Sequence, residues 1–419
     1  MAVEALIYHY QLHFKEPAMT SRGTYLDHDV WYLVLQELER GYWAVGECAP
    51  LPDLSPEYMQ YRHSALSGAE LSEERVAESY GLLVAQEFAH FLRNWRQLSG
   101  DARNLDTQVP IQDLLCDVDP WLSAIRFALE TVYQQWSQCV ALDQQHHSSE
   151  RSTSSWELWP NAFSAGSEGI TINGLIWMGN FEQMSARITA KLEQGYHCVK
   201  LKIGAIDFER ELDLLSQIRE RFTKEQLELR VDANGAFKPH EAMRKLELLS
   251  AFDLHSIEQP IKAGQWSALR ELCESSPLPI ALDEELIGVK RREDRQRLLD
   301  AIYPQYIVLK PTLHGGLCGT LEWIEEAQQR DIGYWLTSAL ESNVGLNALS
   351  QWLAQYEHPL PQGLGTGQLY TNNLPIPLSL KGDQLWLNAM SPSQACDLSN
   401  QVRAHLEQQA VLVSRVVLN

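Results

Sequence analysis

The segment Cys198-Val199-Lys200-Leu201-Lys202-Ile203-Gly204 alternates like a β-strand, with Val199, Leu201 and Ile203 on one face and Lys200 and Lys202 on the other. On a surface strand two such ammonium groups would simply be solvated. Facing a partly dry pocket, they could move protons. Later strand-like segments end in Asp232 and Asn234, in Glu258, in Asp283 and Glu284, and in Lys310; a further one ends in Ser338, with Glu341 and Ser342 just beyond. Carboxylates converging from three consecutive strands repel one another unless a cation lies between them. An all-oxygen donor set without Cys or His favours a hard ion with open positions, which predicts Mg²⁺, with Mn²⁺ as a substitute, rather than Zn²⁺. An ammonium beside a metal and a second ammonium has its charged form disfavoured, which predicts a pKa lowered toward that of a general base. Two lysines flanking a metal-bound carboxylate could remove and return protons α to it.

These residues need a frame that brings strand ends together. From residue 161 onward, strand-like runs alternate with helix-like runs every 25 to 30 residues or so, the rhythm of repeated βα units. The strands are ITINGLIW (170–177), CVKLKIG (198–204), LELRVDAN (227–234), LHSIEQPI (254–261), PIALDEEL (279–286), YIVLKPTL (306–313), GYWLTSAL (333–340) and PQGLGTGQ (361–368). Eight units predict a (β/α)₈ barrel rather than a doubly wound open sheet, since no Gly-rich dinucleotide fingerprint follows the first strand. In a barrel the C-terminal strand ends share one mouth, and the polar residues above fall there.

The rest of the chain divides around that unit. Residues 1 to about 50 read as short strands joined by turns and 56–140 as mainly helical, which makes 1–142 an α+β unit. Residues 143–160 begin with the polar, Ser-rich run DQQHHSSERSTSS and read as a linker or insertion, in which His146 and His147 are solvated loop residues. The barrel occupies 161–389, and 390–419 returns to the first unit.

Composition narrows the class. A net charge of −21 argues against nucleic acid as a partner, because phosphates need a basic surface. No apolar run reaches membrane-spanning length. Seven scattered cysteines, odd in number and without a CxxC pair, read as reduced thiols, and the N-terminus lacks the features of a secretory signal. A cytoplasmic enzyme with a small-molecule carboxylate substrate is the expectation; oligomeric state is not readable.

The Lys-x-Lys of the second barrel strand, Asp232, Glu258 and Asp283 on the third to fifth, and Lys310 on the sixth resemble the muconate-lactonizing subgroup of the enolase superfamily, where a Lys or His base works with Mg²⁺. GECAPLPDLS (46–55) and PWLSAIRFALE (120–130) are similar to that superfamily's N-terminal capping domain, so the resemblance spans most of the chain. Within the subgroup, ITINGLIWMG (170–179), VLKPTLHGG (308–316), TSALESNVGLNAL (337–349) and GLGTGQLYTNNL (363–374) look most like the o-succinylbenzoate synthases. That resemblance implies syn dehydration of 2-succinyl-6-hydroxy-2,4-cyclohexadiene-1-carboxylate in menaquinone biosynthesis. It implies Lys202 as the base, Lys310 as the opposing charge and Lys200 as the neighbour that lowers the pKa of Lys202 and helps place the carboxylate. Asp232, Glu258 and Asp283 would hold Mg²⁺, with Asn234 and Glu284 orienting the groups around it. Ser338, Glu341 and Ser342 lie in the segment that would meet the succinyl end, largely through backbone groups, and Asn173 and the 20s loop around Ser21, Arg22 and Gly23 would line the pocket. The same residues would also serve an N-succinylamino acid racemase, a dipeptide epimerase or a muconate cycloisomerase. A barrel kept only for binding would have lost at least one of these charges, and none is missing.

Overall fold

A computed structural model describes residues 3–20, 23–37, 39–66, 72–100, 105–145, 155–176, 181–204 and 207–418. The chain opens with an antiparallel sheet, Val3–Thr20, Gly23–Glu37 and Tyr42–Cys48, in which the first two strands are far longer than the short strands expected. The sheet grows by one strand at its outer edge, where Val411–Leu418 pairs antiparallel with the first strand. The C-terminal segment thus returns to the N-terminal unit through backbone pairing.

Helices Glu73–Ser99 and Ser123–Gln145 cover this sheet. The first buries Val76, Tyr80, Val84, Phe88, Phe91 and Trp95, a three-to-four-residue spacing that puts one stripe against the core. Gly100, at φ 68°, ends it in a left-handed cap. Most of the polar run 143–155, including His146 and His147, lies outside the described residues.

The remaining sheet is parallel and runs in chain order through Gly174–Ile176, Cys198–Lys202, Glu228–Asp232, Ser256–Glu258, Ile280–Leu282, Tyr306–Leu309 and Gly333–Leu336. A helix follows each strand and packs outside the sheet, except that a 3₁₀ turn, Glu284–Leu286, precedes the fifth helix. Val199, Leu201 and Ile203 join Leu214, Leu215 and Ile218 in the core between sheet and helices, which leaves Lys200 and Lys202 on the inner face.

Two expected strands are reduced. The first is broken into Ile170–Thr171, which pairs with the hairpin Leu378–Lys381 and Gln384–Leu387, and Gly174–Ile176. The eighth, 361–368, is no strand; it makes the parallel bridges Ile172↔Gln362 and Thr337↔Gly363 and then turns into a 3₁₀ helix, Gly365–Gln368. The barrel still closes, because Gln362 and Gly363 hydrogen-bond to both open edges, as in Gln362 N–Thr171 O at 2.9 Å and Gly363 N–Leu336 O at 2.7 Å. Gly363 is required there: a Cβ would stand 2.4 Å from Thr337 Oγ1.

Candidate active site

Strand register sets the centre of the mouth. Lys202 lies opposite Asp232, and Asp232 opposite Glu258, so three charged side chains emerge at one level from neighbouring strands. Asp283 follows the fifth strand and Lys310 the sixth. Asp232, Glu258 and Asp283 are almost wholly buried, as are Lys200 and Lys310.

The side chains interlock. Lys200 Nζ stands between Glu258 Oε2 at 2.8 Å and Asp232 Oδ2 at 3.3 Å. Lys202 Nζ donates to the same Asp232 oxygen at 2.6 Å and to Asn234 Oδ1 at 2.8 Å, and Lys310 Nζ donates to Asp283 Oδ1 at 2.6 Å. Asn234, at φ 43°, turns its amide to Glu284 Oε1 at 3.0 Å, which ties Lys202 to a fourth carboxylate. Gln259, at φ 39°, was not singled out in the sequence; its side-chain oxygen accepts the backbone N–H of Asp283 and of Glu285, both at 3.2 Å. A polar residue next to Glu258 was the available signal.

Burial and pairing compete in this cluster. Burial raises the carboxyl of Asp232, but Lys202 and Lys200 outweigh it and hold it well below the usual range; at Asp283 Lys310 likewise outweighs burial and lowers the carboxyl. Glu258 goes the other way: burial, with Asp232 beside it, pushes it up to about 8. Burial and Asp283 also raise Glu284. At Lys200 and Lys310 two opposing influences meet. Burial alone would lower both, yet the carboxylates in contact with each ammonium more than offset it, and both lie above the ordinary lysine value.

Three buried carboxylates, with the half-buried Glu284 as a fourth, thus face three ammoniums, and Glu258 Oε1 has no hydrogen-bond partner. Among the described residues, no three His, Cys, Asp or Glu side chains stand close enough to hold an ion as they lie; lysine ammoniums stand against Asp232, Glu258 and Asp283. The donor set nevertheless fits a hard cation: it is all oxygen, spans adjacent strands and leaves a buried lone pair on Glu258 unused.

Above the centre lies a cavity of about 680 Å³, whose wall includes Lys200, Lys202, Lys310, Asn173 and Ser338. Tyr25, from the hairpin of the first sheet, and Leu51 and Leu54 complete it from the N-terminal side. Those three were missed as pocket residues, although Leu51 and Leu54 fall within GECAPLPDLS. Ser21 and Arg22 lie outside the described residues.

Two expected contact residues are not on the wall. Glu341 is fully buried and its carboxylate is consumed internally, accepting Thr312 Oγ1 and Ala339 N at 2.8 Å each and Ser338 Oγ at 2.5 Å. Ser342 caps helix Asn343–Leu353, accepting Val344 N at 3.1 Å. Both lie a few residues past a strand end, which from sequence alone looks the same as a pocket position.

An Enolase C-terminal domain-like family model matches residues 183–377. The chain is 45% identical over 382 residues to the o-succinylbenzoate synthase of Desulfotalea psychrophila, which covers 89% of this chain and 95% of that protein. The crystal structure of MenC from Desulfotalea psychrophila superposes with a TM-score of 0.69 at 41% identity, covering 92% of this chain and 100% of that one. The muconate lactonizing enzyme of Pseudomonas putida superposes at 0.68 with 18% identity, covering 98% and 99%, a likeness of fold alone.

Proposed function

We propose that this chain, which belongs to the o-succinylbenzoate synthase family of the enolase superfamily, dehydrates 2-succinyl-6-hydroxy-2,4-cyclohexadiene-1-carboxylate to o-succinylbenzoate, a carbon–oxygen lyase step of menaquinone biosynthesis. The observation that carries the reading is the placement of Lys202: its ammonium is tethered by Asp232 and Asn234 and lines the cavity into which Lys310 also projects. In the same reading residues 161–389 perform the chemistry and 1–142 with 390–419 cap it, joined by 143–160.

Asp232, Glu258 and Asp283 would hold Mg²⁺, or Mn²⁺ in its place, which supplies positive charge against the ring carboxylate and so acidifies the α-carbon. Lys202 as the free amine takes the α-proton, and the electron pair of the broken C–H bond moves into the ring. The ammonium so formed gives that proton to the departing hydroxyl as the C–O bond breaks. The products are water and an aromatic ring, and the amine is restored. One base on one face suffices for a syn course. Lys310, four strands round the barrel, sets its ammonium against the negative charge that develops on the ring. Lys200 stays charged between Glu258 and Asp232 and fixes their oxygens, while Asn234, held by Glu284, aims Lys202.

The presence of Lys202 and Lys310 on one cavity favours a second reading, 1,1-proton transfer on an N-succinylamino acid, one lysine serving each face. Dipeptide epimerisation or muconate cycloisomerisation would use the same pair. Among the described residues no helix is long and apolar enough to cross a membrane, and the seven cysteines are free thiols, which supports a cytoplasmic setting.

The test is o-succinylbenzoate formation with added Mg²⁺ and after EDTA, beside solvent-deuterium exchange into succinylated amino acids. Aromatic product only when Mg²⁺ is present is expected. Undiminished turnover in EDTA would exclude the metal set, and exchange without product would replace dehydration by the racemase reading.

A further inference from the structure

Ser338 and Leu340 form part of the cavity wall, and Leu340 sits at φ 71°, a left-handed conformation that a leucine adopts only when its surroundings enforce it. Its carbonyl accepts Tyr370 OH at 2.6 Å and faces His28 Nδ1 at 3.0 Å. Two residues further on, the wall is gripped from the N-terminal sheet. Glu47, fully buried on strand Tyr42–Cys48, accepts Ser342 N at 2.7 Å through Oε1, and Ser342 Oγ at 2.6 Å and Gly345 N at 2.7 Å through Oε2. The carboxylate therefore sits on the N-terminus of helix Asn343–Leu353, where negative charge is favoured. Gly345 gives it room, since a Cβ there would stand 3.0 Å from Glu47 Oε2. Among the described residues no ion pair includes Glu47, and burial pushes its carboxyl up to about 7.

A second buried carboxylate joins the two units elsewhere and serves as the comparison. Glu130 on helix Ser123–Gln145 accepts Leu317 N at 2.5 Å and Cys318 N at 2.8 Å at the start of helix Gly316–Gln328. That helix start does not adjoin the cavity wall, whereas Ser342, which Glu47 holds, lies two residues beyond Leu340, which lines it. We infer that Glu47 is a positioning residue: by fixing Ser342 and Gly345 it holds the strained Leu340 and Ser338 in the shape that receives the part of the substrate remote from the lysines. The inference rests on the dehydration reading.

The experiment compares Glu47→Gln with Glu130→Gln in the full chain, after wild-type product formation has been verified. Glutamine keeps the volume but turns an amide N–H toward donors at Ser342 and Gly345. Both variants lower the melting temperature. Only Glu47→Gln raises KM, by about tenfold with kcat within about threefold of wild type, because it loosens binding without touching the reacting groups. Calorimetric binding of o-succinylbenzoate weakens in parallel. An unchanged KM in Glu47→Gln, or an equal rise in Glu130→Gln, overturns the inference. Should Glu47→Gln fail to fold, Ser342→Ala, which keeps the carboxylate and both backbone bonds, is expected to raise KM about threefold; no rise overturns it equally. A wild type that forms no product overturns the dehydration reading itself, an outcome distinct from an active wild type with an unmoved KM.

Discussion

The lysine–carboxylate centre and the 338–340 wall border one cavity, yet they are held in opposite ways. Every charged group of the centre leaves the end of a parallel strand, and neighbouring strands fix its level through register, as Lys202↔Asp232↔Glu258 shows. The wall is loop. It depends on Glu341 from within and on Glu47, His28 and Tyr370 from elsewhere in the chain, with Glu47 and Ser342 295 residues apart. In the proposed reading, chemistry thereby sits on rigid elements and recognition on contacts between units, so the two can change independently.

Damage to the centre should break turnover, and damage elsewhere should not. Lys202 aside, the largest effect is expected from Asp283→Asn, which removes a proposed ligand charge and unbalances Lys310: kcat falls on the order of a thousandfold and the Mg²⁺ concentration for half-maximal rate rises, as a metal titration would reveal. Lys310→Ala should follow, with a loss of about a hundredfold in kcat and little change in Mg²⁺ requirement, if its ammonium serves only the charge developing on the ring. A comparable loss of Mg²⁺ affinity in Lys310→Ala would merge the two roles.

The smallest effect concerns stability rather than rate. Glu57, buried with one oxygen accepting Ala124 N at 3.1 Å and the other unpartnered, is pushed up to about 7 by burial. The folded state therefore keeps a proton that the unfolded chain releases near pH 4.5. Stability from this group is full below about pH 4.5 and is lost as pH rises to about 7, on the order of 1–3 kcal/mol. Melting temperatures of wild type and Glu57→Gln at pH 5 and pH 8 check the sign: the wild type should fall more than the variant. Asp232 and Asp283 have the opposite sign, since pairing lowers them and their contribution is lost only in acid.

The same contrast explains what could be read from the residues. Lys200, Lys202, Asp232, Glu258, Asp283 and Lys310 announce themselves because a strand has period two and each strand of a barrel ends at the same mouth. Seven strands were recognisable for the same reason. The eighth was not, because Gly363 is there to let backbones approach, and 361–368 contributes bridges instead of a ladder. Glu341 and Ser342 were taken for pocket residues since a buried brace and a helix cap have the same residue types as a binding site. Glu47 sits in an ordinary alternating strand, and nothing local reveals a partner near the other end of the chain. The direct contacts of Lys200 with Glu258 and of Lys310 with Asp283 needed distances that no strand pattern carries.

The central claim is that Lys202 carries the proton, and turnover by Lys202→Ala at saturating substrate and Mg²⁺ tests it most directly. The side chain is partly exposed at the mouth and its removal spares the core, so the variant should melt close to wild type and bind o-succinylbenzoate while forming it at least about ten-thousandfold more slowly. A folded Lys202→Ala that dehydrates within tenfold of the wild-type rate would contradict the account.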